Sequence, residues 1–92
     1  MLQGKVILNP QENEGSYTWT GIDSYMTQGF HHTFGEEAPL IAFTAVALIL
    51  ETYPDNADYF QTFYYEYPDG KKVKFWIIND VSYYTALLPS EY

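Results

Sequence analysis

The sequence contains no cysteine, no arginine and only four lysines among 92 residues. Without cysteine there can be no disulfide framework, no thiolate nucleophile and no Cys-ligated zinc. The only cluster of bases is Lys71, Lys72 and Lys74. Direct nucleic-acid binding is therefore not expected, because phosphate contacts rely on clustered Lys and Arg. Glycine-rich phosphate cradles of the GxGxxG or GxxxxGK[ST] type are also missing. Apolar runs are short. Val6-Ile7-Leu8 falls below signal-peptide length. The stretch from Ala38 to Leu50, broken only by Thr44, has the length of about 10–14 residues expected of a buried helix and not of a membrane span. These absences predict a cytosolic protein with no membrane contact and no cofactor.

What is present is acid and aromatic. Twelve Asp and Glu give a formal charge of −8, yet 47% of residues are hydrophobic and 20% aromatic, which excludes a disordered acidic tail. At about 100–200 residues per domain, the length makes residues 1–92 one domain. Charged residues total 17%, below the usual ~25%, so the net charge comes from missing bases and not from excess acid. Such a field steers encounter with a protein bearing a basic surface. The plain alternative is that it keeps the chain soluble.

Residues 1–23 are the least regular. A short strand at Lys5–Leu8 precedes the polar turn cluster Asn9 to Gly15. Ser16-Tyr17-Thr18-Trp19-Thr20 alternates in the manner of a strand, with Tyr17 and Trp19 on one face, and Ser24 to Phe30 is a further strand candidate. Glu36-Glu37-Ala38-Pro39 opens a helix over about 36–53, with two carboxylates at the positive end of its dipole and proline where its missing N–H costs nothing. That helix is apolar nearly all round and predicts cover on more than one side. Asp58 to Tyr67 and Lys71 to Ile78 read as strands joined by Pro68-Asp69-Gly70, a type I turn with a left-handed glycine. The turn pairs Tyr65 with Val73, Phe63 with Phe75 and Gln61 with Ile77 on the core face. It pairs Glu66 with Lys72, Tyr64 with Lys74, Thr62 with Trp76 and Phe60 with Ile78 on the other. Tyr83 to Leu88 forms a last strand. The fold class is α+β: a three- to five-stranded, mainly antiparallel sheet with one buried helix on one face, to which residues 1–23 add a strand or hairpin and whose second face they can cover.

The residues offer little catalytic chemistry. His31 and His32 stand in a presumed loop before the helix; a metal needs three or four converging ligands, and adjacent residues of an extended segment point apart. No serine is spaced to form a dyad with them. No enzyme activity and no metal site are expected. Tyrosine, by contrast, is an interface residue, offering large area, few rotamers and a polar tip. Tyr53, Tyr64, Tyr83 and Tyr84 lie among Asp55, Asp58 and Glu66, and these seven are the candidate partner-binding residues. Mixed tyrosine and carboxylate surface can imitate phosphate spacing. Equally, the tyrosines can be ordinary sheet residues with their hydroxyls at the rim.

Residues 24–92 resemble a small family from Firmicutes and their mobile elements, the domain of unknown function numbered nine-sixty. The resemblance is carried by Tyr25-Met26-Thr27-Gln28-Gly29-Phe30, by the helix opening at Glu36 to Leu40, by Asp58 to Phe63, and by Phe75 to Asp80 with Thr85 to Tyr92. Gln28 stands where the family tends to have Arg, the central connection is shorter, and residues 1–23 have no counterpart. The family has no established activity, so the resemblance implies an α+β fold and a phage or mobile-element setting. In that setting the leading expectation is a non-enzymatic, anti-CRISPR-like inhibitor that binds a host defence protein, such as a basic nuclease or effector. An accessory domain that homodimerises through its sheet comes second, and a small-ligand binder or enzyme using His31 and His32 third.

Overall fold

Aromatic and β-branched residues on both sides of Pro68-Asp69-Gly70 favour extended backbone, and the hairpin they form is the middle of the sheet. The computed structural model describes residues 2–92. In chain order the elements are β1 (Lys5–Leu8), β2 (Asp23–Met26), α1 (Gln28–Phe34), a 3-10 turn (Gly35–Glu37), α2 (Ala38–Thr52), β3 (Phe60–Glu66), β4 (Lys72–Asn79), β5 (Tyr83–Leu87) and a closing 3-10 turn (Pro89–Glu91). Gly70 has φ +91°. Its amide donates to the Tyr67 carbonyl at 2.9 Å, and the Tyr67 amide donates to the Lys71 carbonyl at 2.8 Å. The β3–β4 register, from Phe60 opposite Ile78 to Glu66 opposite Lys72, is the one the turn predicts. β1 joins β3 and β5 joins β4, both antiparallel, and β2 runs parallel to β5. The strand order is β1-β3-β4-β5-β2. The chain is thus α+β, with a mainly antiparallel five-stranded sheet and helix packed on one face.

The core lies between that face and the helical stretch. Phe30, Phe34, Ala38, Ile41, Ala45 and Ile49 recur at helical spacing and are buried, as are Phe63, Tyr65, Phe75, Ile77 and Ala86 on the sheet. Phe63 stacks on Phe75 at 4.9 Å, and Phe30 and Phe34 meet Phe75 edge-on at 5.4 and 5.8 Å.

Several local expectations are corrected. The strand candidate at Ser24 to Phe30 ends at Met26, because Thr27 caps α1: its hydroxyl accepts from the Phe30 amide at 3.2 Å. Helix therefore starts well before residue 36 and includes His31 and His32, which were placed in a loop. Glu36 and Glu37 fall in the 3-10 turn between the helices. The Glu37 carboxylate there accepts from the Gln3 amide at 3.1 Å and the Tyr65 hydroxyl at 3.3 Å. From Gln28 to Thr52 the helical stretch is long and apolar enough by composition to cross a membrane, but its inner side is the core. Its outer side is left partly open to water: Leu40 and Leu50 are 40% and 38% exposed, and Phe43 is 69% exposed.

Ser16 to Thr20 forms no strand. Trp19 turns into the core beside Tyr84 (5.6 Å), whereas Tyr17 stays exposed against Tyr59 (5.7 Å). The segment is tied down by the Tyr17 amide donating to the Ala57 carbonyl (3.0 Å) and the Asn79 side chain donating to the Thr18 carbonyl (2.8 Å). It closes the core on the helix side of the sheet and gives the second face no cover; there the C-terminal Tyr92 lies against Trp76 at 5.7 Å.

The chain end is held by Glu91, whose carboxylate accepts from the Thr27 hydroxyl and from the amides of Leu88 (2.9 Å) and Gly29 (3.1 Å). Gly29 leaves the room this needs, since a Cβ there would collide with the carboxylate. The Thr27 hydrogen bond, followed by that from Leu88, holds the Glu91 carboxyl below its ordinary value. A depressed carboxyl contributes stability above its unfolded-state value, about 4.3, and loses it as pH falls through the folded-state value. Glu91→Gln is therefore expected to remove part of the loss of stability below about pH 4.3, read as thermal midpoints across pH 3–7. Gly70→Val forces a β-branched residue to positive φ and is expected to cost about 1–2 kcal/mol in denaturant unfolding; an unchanged midpoint would refute the turn.

Candidate protein-binding surface

Alternation along the strands decides what the uncovered face carries. Apart from Leu87, which is 6% exposed beside Trp76, each strand gives its buried set to the helices, so the face opposite holds Ile7 from β1, Phe60, Thr62 and Tyr64 from β3, Trp76 and Ile78 from β4, and Tyr25 and Tyr83 from β2 and β5. Their rings meet in two groups. Phe60 touches Trp76 at 5.0 Å and Trp76 touches Tyr92 at 5.7 Å; Tyr25 and Tyr83 meet edge-on at 5.4 Å. Tyr25 is 56% and Tyr92 84% exposed. One face of the sheet thus presents aromatic and aliphatic side chains to water.

Charge on this face is sorted by position. At the β3–β4 turn end, Lys5 and Lys72 flank Glu66 in the ladder, and Lys74 lies opposite Tyr64. The ammoniums of Lys72 and Lys74 each sit 5.9 Å from the Tyr64 ring centroid, a cation–π distance. At the far end stand Asp23, paired with Tyr83, and Asp80, whose amide donates to the Tyr83 carbonyl at 2.8 Å. Next to Asp80, Val81 is held at φ +76° with the Ser82 amide donating to the Asp80 carbonyl at 2.9 Å, a strained γ-turn. Val81 itself is 70% exposed.

Of the seven candidate residues, Tyr64, Glu66 and Tyr83 share the open face. Asp55 is exposed in the turn after α2. The other three serve the fold. Tyr84 points to the helix side and packs on Trp19. Asp58 is 8% exposed and its carboxylate accepts from the Tyr59 amide at 2.8 Å. Tyr53 packs against the core, and its hydroxyl accepts from the Gln11 amide at 3.1 Å. Gln11 is the hub of this region: its side-chain oxygen accepts from the Asp58 amide and the Gln61 side chain, both at 2.9 Å, and its nitrogen donates to the Asn56 carbonyl at 2.9 Å. Tyr25, Trp76, Phe60, Asp23 and Asp80 belong to the surface but were not among the candidates. The pairing already put Phe60, Trp76 and Ile78 on the second face. What remained open was whether residues 1–23 would hide it.

His31 and His32 are exposed on α1 beside a shallow depression of about 640 Å³ lined also by Met26, Thr27, Gln28 and Gly29. Among the described residues no group of three or more His, Asp or Glu side chains is placed to hold a metal. Tyr65, buried on the core face, has its hydroxyl pushed above its ordinary value by burial; it accepts from the Gly4 amide at 2.8 Å and donates to Glu37. It fastens the N-terminal segment. No family model, curated protein or solved structure matches this chain.

Removing the Gln11 side chain leaves the fully buried Gln61 amide without its main partner. Gln11→Ala is expected to cost about 1–3 kcal/mol in denaturant unfolding, without changing the open face.

Proposed function

We propose that this chain is a small non-enzymatic protein-binding protein whose interface is the open face of its sheet. In the phage or mobile-element setting that its resemblance implies, it is a stoichiometric inhibitor of a host defence protein in the bacterial cytoplasm. The observation that carries the reading is the one-sided cover of the sheet. Helix and N-terminal segment both pack on one face, and the other keeps Tyr25, Phe60, Trp76 and Tyr83 at the surface. Contiguous exposed apolar surface on a soluble chain marks an interaction site, and Tyr and Trp are the residues that carry binding energy there.

Asp23 and Asp80 favour a basic partner surface at one end of the face and speed association more than they add affinity. Any imitation of phosphate spacing belongs to this end, since Tyr64 and Glu66 stand among lysines. Capture of a host nuclease or effector from bacterial extract at one-to-one stoichiometry tests the reading. Trp76→Ala is expected to weaken that capture at least tenfold by raising the off-rate. Reversing Asp23 and Asp80 to Lys is expected to slow association and flatten its salt dependence. Capture indifferent to both changes would sink the proposal. A second reading, self-association through the sheet, is favoured by the sorting of charge along the same face.

A further inference from the structure

We propose that the open face takes a second copy of this chain, packed face to face with strands antiparallel, so that the Asp23–Asp80 end of each copy covers the Lys72–Lys74 end of the other. The inference rests on the reading of this face as a protein interface: a second copy is its occupant in the free protein, and a host partner takes the face by displacing that copy.

All four lysines of the sequence lie at one end of the sheet: Lys5 on β1, Lys72 and Lys74 on β4, and Lys71 in the turn. On the face itself three ammoniums stand against the single carboxylate of Glu66. The opposite end carries Asp23 and Asp80 and no lysine. Lys72 and Asp80 are eight residues apart, about 26 Å along an extended strand, well beyond the Debye length of about 8–10 Å. The two ends therefore cannot neutralise one another within one molecule.

Between them runs the apolar band, with Trp76 midway between Lys72 and Asp80 in sequence, flanked by Thr62 on β3 and Leu87 on β5. A partner for this face needs an apolar centre with negative charge over the lysines and positive charge over the aspartates. The same face, turned end for end about a two-fold axis near Trp76, has that arrangement. Parallel stacking sets lysine on lysine and is excluded by repulsion. Two-fold pairing is the commonest oligomer symmetry, and aligned sheets pack about 10 Å apart with their faces interleaved. The result is a helix–sheet–sheet–helix sandwich with the aromatic band inside.

Two chains of charge −8 also repel as wholes, so a charge-swap experiment is more telling than salt. Mass is measured by sedimentation equilibrium, with circular dichroism to show that each variant is folded. The natural chain is expected at twice its 10.7 kDa mass, dissociating on dilution. Lys72→Glu with Lys74→Glu, Asp23→Lys with Asp80→Lys, and Trp76→Ala are each expected to weaken the dimer at least tenfold. An equimolar mixture of the two charge-reversed proteins is expected to restore a one-to-one dimer. A natural chain that stays monomeric at its highest soluble concentration overturns the proposal, as does a mixture that fails to associate. A monomer whose capture of a host protein is lost with Trp76→Ala refutes the dimer and keeps the protein-binding reading. A dimer with capture unmoved by that change does the reverse.

Discussion

The register of the β3–β4 hairpin governs everything else in the molecule. Gly70 at φ +91° lets one residue bulge out at the turn, and from there each side chain of both strands is committed to a face. A slip of β4 by one residue against β3 would send Phe75 and Ile77 to water and bring Lys74 and Trp76 inward. The stacked Phe63–Phe75 pair and the edge-on rings of Phe30 and Phe34 reward the observed register alone. β1 and β5 then pair onto outer edges already fixed, and β2 can join β5 in parallel because the helical stretch carries the chain back across the core.

With the register set, the size of the chain limits how much can be covered. A domain of 92 residues buries a smaller share of its surface than a larger one. Here the helical residues and Trp19 are all spent on one side of the sheet. The N-terminal segment is bound to the connection between α2 and β3 through Gln11, Tyr53 and Asn56, so it is not available to the other side. The exposed rings of Tyr25 and Tyr83 and the half-buried rings of Phe60 and Trp76 follow from that allocation. They also define the surface on which a partner gains most from excluding water.

What was legible in the sequence was what local chemistry dictates. The turn at Pro68-Asp69-Gly70 fixed seven cross-strand pairs, and those pairs gave the α+β class and the core face. Ser16 to Thr20 alternates without being a strand, because alternation alone does not say whether a strand has a neighbour to pair with; its backbone bonds go to Ala57 in a loop and to the Asn79 side chain at the end of β4. Residues 28–34 were missed as helix because the cap, Thr27, lies inside a run of strand-forming residues. Asp58 was taken for a surface carboxylate, yet its place is decided by Gln11, 47 residues away, a contact that no spacing rule discloses. Of Tyr83 and Tyr84 only Tyr83 lies on the open face, since neighbours in a strand face opposite ways.

Net charge is a poor guide to this chain, and position is a better one. A charge of −8 spread evenly would give solubility and a diffuse preference for basic partners. Instead the cations are confined to the turn end of one sheet face, and the carboxylates of Asp23 and Asp80 stand at its far end with aromatic rings between. Keeping like charges together costs energy in the free molecule: Lys5, Lys72 and Lys74 gather around one Glu66, relieved only by the Tyr64 ring. Solubility does not call for that arrangement, since the same residues distributed evenly would serve it at lower cost. An arrangement that is unfavourable alone and favourable against an oppositely ordered surface is what an interface requires. The open face meets that condition, whereas the uncovered side of α2, apolar at Leu40, Phe43 and Leu50, carries no charge order to select a partner.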